Sequence, residues 1–132
     1  MNPAVVALNA VAANHLDGRV AEAMPWVLER YPELDWKWLV ENAKLRNAQN
    51  RLGFLVAVAR KVAERRSNRA AAEELMRVEK ELEPARLAAE TTLGRETMPA
   101  AERAWLRRHR SAEAHHWNVL AGMKVKDLLY AR

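Results

Sequence analysis

The hydrophobic positions of this chain recur every three or four residues along most of its length, which is the spacing of amphipathic α-helices. The clearest stripe runs from Ala48 to Ala63, and a second one, from Leu75 to Thr92, alternates steps of three and four. No run of alternating β-branched residues is bounded by turn signals, so few strands or none are expected. The pattern therefore predicts an all-α fold.

The capping residues and prolines between the apolar stripes predict five to seven helices in a single domain spanning residues 1–132. Asp17 and Asp35 precede helical patterns and are residues that favour the N-cap position. Pro25 lies inside the first of these patterns, and because proline removes a backbone donor we expect a kink or a restart there. Ser67 and Asn68 could end one helix and cap the next.

The stripe from Leu75 to Thr92 predicts a long helical arm at about residues 68–93, kinked at Pro84 and ended by Gly94. The arm could fold back on the Ala48–Ala63 stripe as an antiparallel hairpin, or it could pair with a second copy and make a homodimer. Further helices are expected at about residues 99–130, where Ser111 is a cap and Trp117, Leu120 and Ala121 face the core.

Charge is distributed unevenly along the chain, whose formal net charge is +5. Residues 36–70 carry 9 basic and 2 acidic side chains, which gives +7 in about a quarter of the sequence. Such a run attracts phosphate backbones, although a solvated helix face is an equal alternative. The chain contains no cysteine, which favours a cytoplasmic location, and no stretch is apolar enough to imply a membrane partner.

The basic quarter contains the pattern of a helix-turn-helix unit at about residues 35–62. Leu39, Val40 and Ala43 form the apolar side of a first helix, and Leu45 is expected to plug the joint between the helices. Amides and arginines pair with base edges in the major groove, and they occur at the start of the second helix. The predicted base-reading residues are Arg46, Asn47, Gln49, Asn50 and Arg51, and the predicted phosphate-binding residues are Lys37, Lys44, Arg60 and Lys61.

Two departures from the helix-turn-helix pattern leave a simpler interpretation open. The turn contains no glycine, whereas Gly53 lies inside the second helix, where it costs about 1 kcal/mol relative to alanine unless something packs closely on it. Two ordinary packed helices with a polar joint are the alternative.

Tryptophan supplies five of only eight aromatic residues. Trp36 and Trp38 are two positions apart and cannot share a helix face. Core packing is the more common fate of tryptophan, and a contact with a partner protein is the alternative for this pair.

Catalytic and metal-binding patterns are absent from the sequence. It has no glycine-rich phosphate loop and no nucleophile motif. His109, His115 and His116 lack the spacing that would bring three or four metal ligands together. We therefore expect no enzyme activity, no metal and no cofactor.

Five short stretches of the chain together resemble small bacterial proteins related to helix-turn-helix regulators, which occur as antitoxin-like partners in toxin–antitoxin operons. The resemblance covers about residues 17–118. It is carried by Met24-Pro25-Trp26, the stretch Tyr31 to Leu39, Asn50 to Phe54, Ala101 to Arg110 and His116-Trp117-Asn118. The resemblance implies a DNA-binding autoregulator that also sequesters a toxic enzyme.

The sequence thus predicts a transcriptional regulator that binds double-stranded DNA, as a homodimer or with a toxin or other protein partner. The rival hypothesis is a protein-interaction module, an antitoxin or a phage-related inhibitor, that neutralises an enzyme without contacting DNA. In that case the long helix and exposed tryptophans, Trp36 and Trp38, would form the contact.

Overall fold

The computed structural model describes residues 2–130, with only the backbone of Tyr130, and helices account for 68% of these residues. Eight α-helices and one two-stranded sheet occur in this part of the chain, so the predicted all-α class is confirmed, with one helix more than expected. The helices are α1 Pro3–Ala12, α2 Gly18–Arg30, α3 Trp36–Leu45, α4 Gln49–Arg65, α5 Arg69–Leu82, α6 Ala100–His109, α7 Ala112–His116 and α8 Val125–Tyr130. The strands are β1 Thr91–Thr92 and β2 Val119–Leu120.

Side-chain caps begin four of the helices where the sequence predicts them. Asp17, Asp35, Asn68 and Ser111 each accept a hydrogen bond from a backbone N–H group in the first turn that follows. These bonds satisfy donors that a helix cannot satisfy internally. The predicted restart at Pro25 is wrong, because α2 continues through this residue to Arg30.

Helix α4 is the centre of the fold. Its buried residues face all directions around the helix axis, as expected for a helix enclosed on every side. Helices α2, α3, α5, α7 and α8 all pack against it, and α5 makes the most extensive contact. Because only three residues separate α4 from α5, the two form an antiparallel hairpin, and the predicted folding back of the arm is confirmed.

The arm is shorter than the sequence predicts. Helix α5 ends at Leu82, and a single 3-10 turn, Glu83–Ala85, follows it. Pro84 lies in that turn. Because a proline cannot donate the backbone hydrogen bond that would continue the helix, α5 ends before it. Gly94 is not a helix terminus; it lies after β1 with φ +69°, and its carbonyl accepts a hydrogen bond from Leu16 N at 2.8 Å.

The two strands are short and parallel, pairing Thr91 with Val119 and Thr92 with Leu120. They hold the segment after the 3-10 turn against the segment after α7. Among residues 2–130, every helix is too short or too polar to span a lipid bilayer.

Gly53 is the point at which α4 and the C-terminal part of the chain come closest. A Cβ atom at this position would lie 2.5 Å from Cε3 of the buried Trp117. Gly53 therefore meets the condition under which a glycine inside a helix is favoured, because a larger residue would clash with Trp117. Trp117, Leu120 and Ala121 are all buried, as predicted.

Candidate functional site

The joint between α3 and α4 is a rigid turn. Asn47 has the left-handed φ of +54°, the backbone N–H of Asn47 donates to Lys44 O at 3.1 Å, and that of Ala48 donates to Ala43 O at 2.8 Å. These two bonds define a Schellman motif, which usually has glycine at the left-handed position and sometimes asparagine. Asn47 therefore takes the place of the turn glycine that the sequence lacks.

Asn50 is directed into the protein rather than away from it. Its Nδ2 donates to Leu87 O, its Oδ1 accepts from Leu87 N, both at 2.8 Å, and the residue is only 1% exposed. The neighbouring Gln49 is also buried, and its Nε2 donates to Ala85 O at 3.2 Å. Gln49 thus binds the last residue of the 3-10 turn, and Asn50 binds the backbone of the segment that follows it.

Arg51 connects α4 to two other parts of the chain. Its Nε donates to Thr91 Oγ1 at 3.0 Å, and its Nη1 donates to Val11 O at 3.0 Å and to Ala13 O at 3.2 Å. Removal from water lowers the pKa of this guanidinium, and the negative charge of Glu96 partly opposes the change.

The prediction that Gln49, Asn50 and Arg51 project freely from a recognition helix is therefore wrong. A recognition helix must expose one face to enter the major groove. The first half of α4 has no such face, because Gly53, Ala57 and Val58, which lie outside the predicted stripe, are buried as well. Helices α3 and α4 are joined by a tight turn, but α4 lies in the core.

Two of the predicted phosphate-binding cations already have acidic partners. Arg60 is hydrogen-bonded to Glu79 and Glu64, and the bond to Glu79 is the main reason that its pKa is raised. Lys61 Nζ lies 2.6 Å from Glu113 Oε2. Neither side chain offers an unpaired positive charge, and both fasten α4 to neighbouring helices.

The remaining predicted cations, Lys37, Lys44 and Arg46, are exposed, and within residues 2–130 none of them forms an ion pair. Leu45 lies between Lys44 and Arg46 and is 81% exposed. The prediction that Leu45 plugs the joint is wrong, because Leu45 lies in solvent and the buried residues on either side of the turn are Ala43 and Ala48. We call Lys37, Lys44, Leu45 and Arg46 the basic joint; Asn47, beside it, is exposed as well.

The tryptophans are arranged differently from the prediction for a partner contact. Trp36 is buried, with its Nε1 donating to Pro32 O at 2.6 Å, and Trp38 is half-buried against the core. Trp105 is 53% exposed and stacks on His109 at a centroid distance of 4.3 Å. The prediction of Trp36 as a contact residue is therefore wrong.

No group of three or more His, Asp or Glu side chains suited to a metal ion occurs in the described part of the chain. The chain matches no known protein family, no curated protein and no solved structure. Its function must therefore be argued from its own surface.

Proposed function

We propose that this protein is a protein-interaction module that binds a partner through the basic joint. The observation that carries the proposal is the position of Leu45, the most exposed large hydrophobic residue in the described part of the chain, between two cations at a hydrogen-bonded turn. Burying a leucine side chain contributes about 2 kcal/mol to association. Because the fold leaves the Leu45 side chain in water, a partner that covered it would gain this contribution.

The rigidity of the turn strengthens this proposal. Three backbone hydrogen bonds fix the joint: Arg46 N to Ala43 O, Asn47 N to Lys44 O and Ala48 N to Ala43 O. A contact residue that is already held in place loses little conformational entropy on binding. Leu45 is therefore suited to act as an anchor for a partner's pocket.

The surrounding charge indicates the chemistry of the partner. Lys37, Lys44 and Arg46 are unpaired within the described residues, and the exposed Glu41 is the carboxylate on the same face of α3. Three cations and one carboxylate give a local charge of +2. The complementary surface is an apolar pocket bordered by carboxylates, which would steer the encounter and set its orientation. The resemblance to antitoxins makes a toxic enzyme the partner class that we favour.

The test is complex formation with the product of the gene adjacent to this protein's own gene. The two proteins would be co-expressed and purified, and the affinity would be measured by titration calorimetry. Replacing Leu45 with Asp should weaken the complex about a hundredfold, as expected for an anchor residue. Val20→Asp is the matched control, because Val20 is also an exposed hydrophobic residue but lies on α2.

Two results would contradict the proposal. The first is a complex that tolerates Leu45→Asp as well as it tolerates Val20→Asp. The second is the absence of a complex, which would remove the antitoxin-like role. The double variant Lys44→Ala/Arg46→Ala should mainly slow association, and the effect should shrink at high salt.

DNA binding is the second candidate function, and the unpaired cations of the basic joint favour it. Because α4 is buried, binding would rely on phosphate contacts from Lys37, Lys44 and Arg46 rather than on the buried amides. The test is fluorescence anisotropy with the gene's own upstream duplex at two salt concentrations. Lys44→Ala/Arg46→Ala should reduce both affinity and its salt dependence. Lys80→Ala, at an exposed lysine on α5, is the control, and equal affinities for all three proteins would exclude this mode.

A further inference from the structure

A groove lies between α2, α6 and α8, and it shares no residue with the basic joint. Its volume is about 720 Å³, which is within the range of protein clefts that bind ligands. The buried residues that line it are all apolar, with Leu93, Leu106, Leu120, Ala121 and Leu128 among them. The groove therefore offers a hydrophobic floor without a buried polar group that could orient a small polar ligand.

The floor of the groove joins two separate hydrophobic clusters. Leu93, Ala121 and Leu128 belong to the main core, whereas Leu106 and Leu120 form a small cluster with Met98. An occupant with a row of apolar side chains would connect the two clusters. It would thereby fasten α6, whose own buried surface is limited to Leu106, to the main core.

The rim of the groove is charged but balanced. Arg19 and Glu22 lie three residues apart on α2, and Lys124 and Asp127 lie three residues apart at the start of α8. On the α6 side, Arg95 is paired with Glu102. Each side thus contributes one cation and one anion, so the rim does not favour a nucleic acid or another polyanion.

We infer that the groove binds an amphipathic α-helix of a partner protein. The apolar floor fits the hydrophobic stripe of such a helix, and the paired charges fit polar residues of both signs along the two edges of that stripe. The longer walls are helices, whose backbone groups are already hydrogen-bonded, so an added β-strand would find no open edge there. The inference rests on the proposed function only in taking the occupant to be a segment of a protein.

The probe for this inference is a displayed library of 18-residue peptides patterned as amphipathic helices. Selected peptides should carry large apolar residues at i, i+3, i+4 and i+7, with charges of both signs on the flanks. The affinity of a labelled selected peptide would be measured by fluorescence anisotropy. Ala23→Trp, which places a large ring in the groove from an exposed position, should weaken binding about tenfold or more.

Matched variants separate this inference from the proposed function. Ala70→Trp adds the same ring at an exposed position on α5, and it should leave the affinity unchanged. The double variant Arg19→Glu/Glu22→Arg exchanges the two charges on the α2 side of the rim, and it should alter which peptide charges are selected. Both residues are exposed, so the core is not disturbed. Circular dichroism of each variant would verify that it is folded.

Three results would overturn the inference: no enrichment over an unrelated helical protein, selected peptides insensitive to Ala23→Trp, or peptides lost with Leu45→Asp instead. The last result would place the peptides on the basic joint and would leave the proposed function standing. Conversely, peptides lost only with Ala23→Trp would support the groove even if Leu45→Asp had no effect on any complex.

Discussion

Asn50 and Leu87 form a reciprocal pair of hydrogen bonds across 37 positions of sequence: the side-chain amide donates to the backbone carbonyl, and its oxygen accepts from the backbone N–H. Asn118 Nδ2 donates to the same Leu87 carbonyl at 2.8 Å. An amide side chain thus replaces the backbone partner that a strand or helix would have given Leu87. The segment between the 3-10 turn and β1 is fixed by asparagines rather than by its own secondary structure.

Replacing Asn50 with Ala should lower the free energy of unfolding by about 2–3 kcal/mol. The change removes two bonds and leaves the N–H and one acceptor site of Leu87 without their partner in a partly buried place. Urea denaturation followed by circular dichroism would measure the loss. Asn9→Ala, at an exposed position of α1, should change stability by less than about 0.5 kcal/mol. Similar values for the two variants would contradict a structural role for Asn50.

Gly53→Ala should destabilise the protein by about 1–3 kcal/mol, although alanine normally favours a helix. The new methyl group would lie 2.5 Å from the ring of Trp117, which is buried and cannot move freely. Gly18→Ala is the control, because no atom lies within 4 Å of a Cβ built there. Thermal unfolding of both variants would decide the matter, and a stabilising effect of Gly53→Ala would disprove the close packing.

Ser67→Gly should stabilise the protein by about 0.5–1 kcal/mol. Ser67 has φ +59° at the end of α4, a conformation that glycine adopts without steric cost. By contrast, Ser111→Ala should cost about 1 kcal/mol, because Ser111 Oγ accepts from Ala114 N as a helix cap. Guanidinium denaturation would measure the change in the free energy of unfolding, which should be positive for Ser67→Gly and negative for Ser111→Ala. A loss of stability in Ser67→Gly would count against the strained-turn argument.

Acid should weaken the contact between Glu83 in the 3-10 turn and His116 in α7. The hydrogen bond from His116 is the main reason that the pKa of Glu83 is lowered, and Arg86 adds to the effect. A carboxyl group with a lowered folded pKa contributes stability above its unfolded pKa of about 4.3 and loses it as the pH falls through the folded value. Because both side chains are largely exposed, the contribution should be a few tenths of a kcal/mol.

Urea denaturation between about pH 6 and pH 3 would measure this dependence. The stability of Glu83→Gln should fall less steeply with acid than that of the unmodified protein. Glu33→Gln, at an exposed residue with no ion pair in the described part of the chain, should leave the slope unchanged. Parallel curves for all three proteins would show that the Glu83–His116 contact contributes nothing.

Local signals in the sequence predict the helical class and several boundaries, because caps and apolar spacing act within one or two turns. Asp17, Asp35 and Asn68 are examples, since each accepts a hydrogen bond two or three residues away. The hairpin of α4 and α5 follows from two matching stripes and a short connection. Pro84 ends α5, and a stripe of apolar residues alone does not reveal that termination.

The direction of the polar residues of α4 could not be predicted in the same way. An amphipathic pattern identifies the side that is most apolar, but it does not show whether other segments cover the polar side. Gln49, Asn50 and Arg51 are covered by residues 85–91 and by the end of α1, which lie far from them in sequence. Most of their long-range partners are backbone groups, which carry no signature of residue type; the exception is Thr91 Oγ1, which accepts from Arg51 Nε.

Because residues 52–59 of α4 are all buried, their amide protons should exchange with deuterium only when the whole molecule opens. A partner that binds only the native state makes such opening rarer by the factor 1 + [L]/Kd, wherever on the surface it binds. Mass spectrometry of deuterium uptake in this one helix would therefore register any specific binder, at the basic joint or in the groove. Deuterium uptake in the buried helix α4 would thus report the binding of a partner at any site on the surface.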